Sequence, residues 1–221
     1  DACLHWAHIR YAESVAEACR RAGVRRFICM SSTRRFTRFA CESSRQVIEG
    51  EAAVERSGLD WTILRCSMIY GGERDDNLER LVRYFQRTPF FPLAHGGRQL
   101  VQPVFVWDVV AAALAALSRP LSIGKAYTLA GPAALPYRVL VEEAARAAGR
   151  KKIVLVPAPH ALLYAAAWIL EKTMAKPPAT TEQIRRFLED KVFSIDDAVR
   201  DLDFRPVSFA EGMRRKAQRE V

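Results

Sequence analysis

Apolar residues along this chain switch between two spacings. From residue 9 to 22 they recur at helical intervals (Val15, Ala18, Cys19, Ala22) and stop at Gly23, a natural C-cap, before the continuous run of residues 26–30, RFICM, which reads as a buried strand. The alternation then repeats. A Ser31-Ser32-Thr33 turn and a basic loop over 34–44 lead to a helix from about residue 45 to 56, closed by Ser57-Gly58, and then to a strand over 61–69. Strands apolar on both faces and separated by helices predict a parallel sheet covered on both sides.

Beyond Gly71-Gly72 the pattern loosens. It predicts a helix over 77–87, a Pro-rich aromatic loop (Pro89-Phe90-Phe91-Pro92), a β-like run over 99–106, and a strongly apolar helix over 109–117 with Asp108 as its N-cap. A strand over 126–130, a helix over 137–148 ending at Gly149, and a short strand over 153–156 follow. The tail from residue 158 reads as mainly helical, with 191–193 as a last strand. No internal repeat or low-complexity linker is present.

Composition narrows the class. With 221 residues, 50% hydrophobic, 27% charged and 10% aromatic, the chain suits one globular domain or a domain with a small lobe, and it is neither disordered nor fibrous. The net charge of +9 comes from scattered doublets such as Arg20-Arg21, Arg34-Arg35 and Lys151-Lys152 rather than one dense tract. Such doublets are ordinarily solvated faces, so no nucleic-acid partner is expected. The five cysteines form no C-x-x-C pair, and Cys29 and Cys66 fall inside apolar strands, which suggests a reducing, cytoplasmic setting. Cys3, His5 and His8 do not have the spacing of a closed zinc site, so no metal is expected, and no G-x-S-x-G elbow supports a hydrolase triad. The most apolar segment, 158–174, is interrupted by His160 and Glu171 and reads as a packed or interfacial helix.

Five segments in order, AGVRRFICMSS, EGEAAVERSGLDWTILRCSMIYG, QPVFVWDVVAAALAAL, YTLAGP and FRPVSFAEGM, make the chain resemble the extended and atypical short-chain dehydrogenase/reductases, the NAD(P)-dependent epimerase/dehydratase and NmrA-like proteins. The resemblance covers nearly the whole chain. It implies an α/β, Rossmann-like doubly wound parallel sheet in a single domain over 1–221, with a small C-terminal α+β substrate lobe formed mainly by 74–98 and 132–221. It also implies NAD or NADP as cofactor and a small-molecule ligand with a carbonyl or sugar-nucleotide character.

The resemblance carries site residues with it. Ser32 takes the place of the serine that stands beside the nicotinamide, with Ser31 next to it; the alternative for Ser32 is simple turn capping. Cys66, Ser67 and Met68 follow Arg65 at the strand end that approaches the cofactor, and Cys66 replaces a frequent proline. Tyr70-Gly71 reads as structural. Arg74, Asp76 and Asn77 fall where relatives bind substrate, and Arg98 is a candidate for a phosphate or carboxylate, so Asn77 and Arg98 are the substrate-side candidates. The family's Tyr-x-x-x-Lys pair, in which lysine lowers the tyrosine pKa for proton exchange, falls on Ser43 and Val47. Neither side chain can perform that chemistry.

No glycine-rich phosphate loop precedes these strands. Residues 1–7 resemble the family's fourth strand, so the sheet is expected to be N-terminally incomplete by roughly 80–90 residues, counted in βαβ units. Apolar faces left uncovered would favour instability or self-association into a homo-oligomer. The functional expectation is an NAD(P)-binding protein of the epimerase/dehydratase type with weak, altered or lost redox activity. The alternative is a non-catalytic cofactor-sensing or assembly subunit, and a third reading places residues 158–174 peripherally on a membrane.

Overall fold

The apolar runs around Cys29 and Ile63 lie side by side as parallel strands in a computed structural model that describes residues 1–39, 41–72, 78–175, 177, 180–187 and 189–219. In chain order the elements begin with β1 (Ala2–His5), α1 (Ala12–Arg21), β2 (Arg26–Ser32), α2 (Glu42–Glu55), β3 (Asp60–Cys66), β4 (Ile69–Tyr70), α3 (Leu78–Arg87) and β5 (Phe90–Ala94). There follow β6 (Leu100–Val101), β7 (Val104–Phe105), α4 (Val106–Ser118), β8 (Lys125–Leu129), β9 (Leu135–Pro136), α5 (Tyr137–Ala147) and β10 (Val154–Ala158). The chain closes with α6 (His160–Thr173), α7 (Thr181–Phe187), α8 (Asp196–Leu202) and α9 (Phe209–Arg219). They belong to two units, one of Asp1–Gly71, Pro103–Pro132 and Phe193–Val221, the other of Gly72–Gln102 and Ala133–Val192.

The first unit holds a four-stranded sheet in the order β1-β2-β3-β8, parallel throughout. Successive residues of a strand face opposite sides, so both sides need apolar cover. Phe27, Cys29 and Ile63 pack with Ile9, Ala12 and Ala16 at α1 and with Val47 and Val54 of α2. Ile28, Leu64 and Cys66 pack on the other side with Val109, Ala112 and Ala116 of α4 and Ala198 and Leu202 of α8. This is the doubly wound arrangement anticipated above.

Polar ties hold the amino-terminal end of the sheet. The Arg26 guanidinium donates to the carbonyls of Asp60 and Ala116 (both 2.6 Å), to Thr62 Oγ1 and to Ser122 Oγ (both 2.8 Å), joining β2, β3 and the end of α4. The buried Asp201 of α8 accepts from Lys125 Nζ (2.8 Å), Arg200 Nε (2.9 Å) and the Tyr127 hydroxyl (3.0 Å), pinning α8 to β8. Those bonds, led by Lys125, draw the Asp201 carboxyl down to about 2.

Several expectations are corrected. Residues 193–221 belong with the sheet rather than with the lobe, because Ala198, Leu202 and Phe204 enter the α4 side of its core. Asp108 lies inside the first turn of α4, not before it; its carboxylate accepts the Val207 N–H (2.9 Å) and ties down the segment leading to α9. Residues 191–193 are not a strand. The run 99–106 splits into β6 and β7 around Gln102-Pro103, where proline has no N–H to give a ladder. The expected aromatic loop instead forms β5, in which Pro92 is tolerated because a two-stranded sheet leaves one side of each strand unpaired.

In the second unit β5 pairs in parallel with β10, and β6 in antiparallel fashion with β9. Leu78, Val82 and Phe85 of α3 and Leu140, Val141 and Ala144 of α5 are buried, and Arg150 donates to the Phe85 (2.7 Å) and Gln86 (3.0 Å) carbonyls at the end of α3. A cation there also meets the negative end of the helix dipole.

Two outcomes follow from this packing. In an unhindered helix interior Gly→Ala stabilises by about 1 kcal/mol, but a Cβ on Gly50 of α2 would stand 2.6 Å from the Ile9 carbonyl oxygen. Gly50→Ala is therefore expected to destabilise by about 1–3 kcal/mol in urea denaturation. The Asp201 carboxyl titrates near 2 in the fold and near about 3.9 in an unfolded chain, so its stabilisation is complete above the unfolded value and disappears as pH falls through the folded one. The melting-temperature gap between the protein and Asp201→Asn should be widest at neutral pH and close between about pH 4 and pH 2.

Candidate functional site

In an open parallel sheet, ligands bind outside the carboxyl ends of the strands. Here those ends are built around a carboxylate. Glu51 of α2 is 0% exposed, on the same helical stripe as the buried Val47, Gly50 and Val54. Parallel register sets Ser31 of β2 beside Arg65 of β3, on the side of the sheet that α2 covers. The Ser31 hydroxyl donates to Glu51 Oε1 (2.5 Å), and Arg65 approaches through Nε (3.1 Å to Oε1, 3.0 Å to Oε2) and Nη2 (2.8 Å to Oε2). Arg35, from the turn after β2, completes the ring with a further ion pair to Oε2. Two guanidinium groups against one carboxylate leave a net positive charge, and the Arg65 guanidinium also lies 5.7 Å from the centre of the Phe36 ring.

More cations gather around these ends. His8, after β1, accepts the Arg10 N–H at Nδ1 (3.2 Å). Desolvation first, then the charges of Arg10 and Arg34, lower its pKa, which favours the neutral imidazole. The setting suits an anionic ligand, and the Glu51 carboxylate that would repel one is already held by two guanidinium groups.

The expected site residues have these positions. Ser31 is buried and committed to Glu51. One position on, strand alternation turns Ser32 away from that network; its hydroxyl accepts the Arg34 N–H (3.2 Å) and caps the short 3₁₀ turn Thr33–Phe36. Cys66 is buried against the α4 side, and burial pushes its thiol up to about 12, so it offers no thiolate at neutral pH. The Ser67 N–H donates to the Leu129 carbonyl and the Met68 carbonyl accepts from the Val104 N–H (both 2.9 Å), so the backbone after β3 is anchored to β8 and β7. Arg98 lies in the second unit, exposed after the turn His95–Gly97. Arg74, Asp76 and Asn77 lie outside the described residues.

The positions matching the proton-transfer pair have structural surroundings. Val47 is in the apolar core between α2 and the sheet, and Ser43 Oγ is 3.4 Å from Cys41 Sγ at the start of α2. Tyr70 is buried between the rings of Phe105 and Phe209, and a Cβ on Gly71 would lie 2.4 Å from the Phe105 ring. Sequence reasoning passed over Arg35 and the pairing of Arg65 with Glu51. A signal was present: an acid on the apolar stripe 47-50-51-54 requires a buried partner, and Arg65 is the cation on the facing strand.

Residues 5–84 match the family model described as NAD(P)H-binding. The rat mitochondrial protein NADH dehydrogenase (ubiquinone) 1 alpha subcomplex subunit 9 is 32% identical over 125 residues, 56% of this chain and 33% of that protein. The 40 kDa subunit of Neurospora crassa mitochondrial NADH-ubiquinone oxidoreductase is 26% identical over 204 residues, 92% of this chain and 53% of that one. The chain thus spans between a third and about half of these relatives' length. Among solved structures, the epimerase Mth375 of Methanothermobacter thermautotrophicus superposes with a TM-score of 0.70 at 20% identity, covering 92% of this chain and 61% of that one. The Streptomyces venezuelae dTDP-glucose 4,6-dehydratase DesIV, solved with NAD and TYD bound, gives 0.70 at 18% identity, covering 100% and 73%. These structural likenesses establish the fold.

Removing the central carboxylate leaves Arg35 and Arg65 facing each other. Glu51→Gln should therefore destabilise the protein by about 3–5 kcal/mol in chemical denaturation, far more than exposed Glu49→Gln on the same helix, which should stay within about 0.5 kcal/mol.

Proposed function

We propose that the protein binds a nicotinamide dinucleotide as a subunit of a larger assembly rather than turning it over, because residues 5–84 match the family model described as NAD(P)H-binding and the chain folds like the epimerase Mth375 and the dehydratase DesIV. The observation that carries this reading is the state of α2. Where a tyrosine and a lysine would exchange a proton with substrate, Ser43 and the core residue Val47 stand instead, and the only acid of the stripe is locked by two arginines. The scaffold is kept and the proton-transfer machinery is not.

The residues fit the nicotinamide end of such a cofactor. The Ser32 hydroxyl and the backbone of Cys66, Ser67 and Met68 stand at the ends of adjacent strands, and Arg10, Arg34 and Arg35 supply positive charge for its phosphates. When bound, the dinucleotide would supply hydride chemistry. This chain's part is to orient the ring and hold the strand ends rigid. The assembly role rests on the mitochondrial NADH dehydrogenase subunits to which the chain is similar. Five free thiols, with Cys29 and Cys66 buried, suit a reducing cytoplasmic environment for the subunit.

Titration with NADPH and NADH, followed by nicotinamide fluorescence, should show saturable binding that Arg10→Glu, at an exposed position outside the Glu51 ring, weakens about tenfold or more by reversing the local charge. No change in cofactor absorbance should follow addition of nucleotide sugars. Oxidation or reduction of the cofactor above the protein-free rate would overturn the non-catalytic reading and return the protein to the enzymes.

A further inference from the structure

Helix α6 is apolar all round, yet only half of its circumference is covered. At about 100° per residue, His160, Leu163, Tyr164, Ala167, Leu170 and Glu171 make one arc. Ala167 is buried there, Glu171 accepts the N–H (3.1 Å) and hydroxyl (2.9 Å) of Thr181, and Tyr164 accepts from Arg185 (2.8 Å). The opposite arc carries Ala161, Leu162, Ala165, Ala166, Trp168 and Ile169, with Leu162 66% and Trp168 and Ile169 each 53% exposed, and it ends in the exposed Lys172. A helix apolar on both sides requires a second apolar environment. No helix of the described residues is long and apolar enough to cross a membrane, so insertion across a bilayer does not supply it.

Strand β10, which runs into α6 through Pro159, repeats the feature. Its register with β5 sets Val154 beside Phe90 and Val156 beside Pro92, and all four are exposed. The charges that flank these two segments in sequence are, Glu171 apart, of one sign. Exposed Lys151 and Lys152 precede β10 and Lys172 closes the helix, whereas Glu171, the sole acid between Arg150 and Lys172, is turned to the covered arc. An apolar face with a tryptophan and bracketing lysines matches a surface that offers negative headgroups above hydrocarbon.

We propose that α6 and β10 form a peripheral docking face for an anionic lipid bilayer, with Leu162, Trp168 and Ile169 entering the interface and Lys151, Lys152 and Lys172 meeting the headgroups. The helix is about 21 Å long, enough to lie in the interface without spanning it. This inference is independent of cofactor binding.

Co-sedimentation with phosphatidylcholine vesicles, with and without about a third phosphatidylglycerol, tests it. The protein should bind the anionic vesicles and lose most of that binding when salt shortens the Debye length to about 3 Å. The double variant Leu162→Ser/Ile169→Ser, which alters only exposed positions, should bind at least about tenfold more weakly. Lys151→Glu/Lys152→Glu should do likewise. Both variants should keep the parent's melting temperature. Failure of the parent to bind anionic vesicles overturns the proposal. So does unchanged binding by Leu162→Ser/Ile169→Ser, which would assign attraction to charge elsewhere. Sedimentation velocity showing an oligomer that the same double variant dissolves would make a second copy of the chain the occupant and equally overturn it.

Discussion

The carboxylate of Glu51 is the constraint on which the site depends. A charge with no solvent exposure is tolerable only when its oxygens are filled by donors, and here one side chain gathers a serine from β2, an arginine from the turn after β2 and an arginine from β3. The helix, two neighbouring strands and the basic turn are thereby tied into one body. Because a buried ion pair is strongly orienting even where its net stabilisation is small, its main consequence is geometric: the carboxyl ends of β2 and β3 have one arrangement in which every partner is satisfied.

That arrangement sits within a sheet covered on both sides. The sheet, covered by α1 and α2 on one side and α4 and α8 on the other, is that of dinucleotide-binding enzymes. The inward positions of α2 are taken up by packing and the Glu51 ring. Val47 fills core volume, Gly50 allows the close approach of the Ile9 carbonyl, and Glu51 is held by guanidinium groups. The positive charge that remains around the strand ends suits an anionic ligand.

Much of the architecture was legible in the chain itself. Strands β2 and β3 and the helices α1 and α2 follow from continuous apolar runs, helical stripes and glycine stops, since a strand buried on both faces is mostly apolar and a helix covered on one side must be amphipathic. The failures occurred where distant partners decide. FFPLA became a strand because β10 lies parallel to it, α4 begins at Val106 and takes in Asp108, whose carboxylate serves the distant Val207 N–H, and residues 193–221 joined the sheet because Ala198, Leu202 and Phe204 complete its core. None of these partners lies within a local window of sequence.

The candidate site divides along the same line. The amino-acid order by itself determined the types of side chain at the strand ends and the anomalous acid on an apolar stripe, because periodicity alone assigns a residue to a face. Only the tertiary structure decided that Ser31 rather than Ser32 meets Glu51, that Arg35 and Arg65 share one carboxylate, and that half of α6 is uncovered. The reason is physical. Which face a residue occupies is set by local backbone geometry, but which charge it meets, and whether its face is covered, is set by elements brought together from far along the chain.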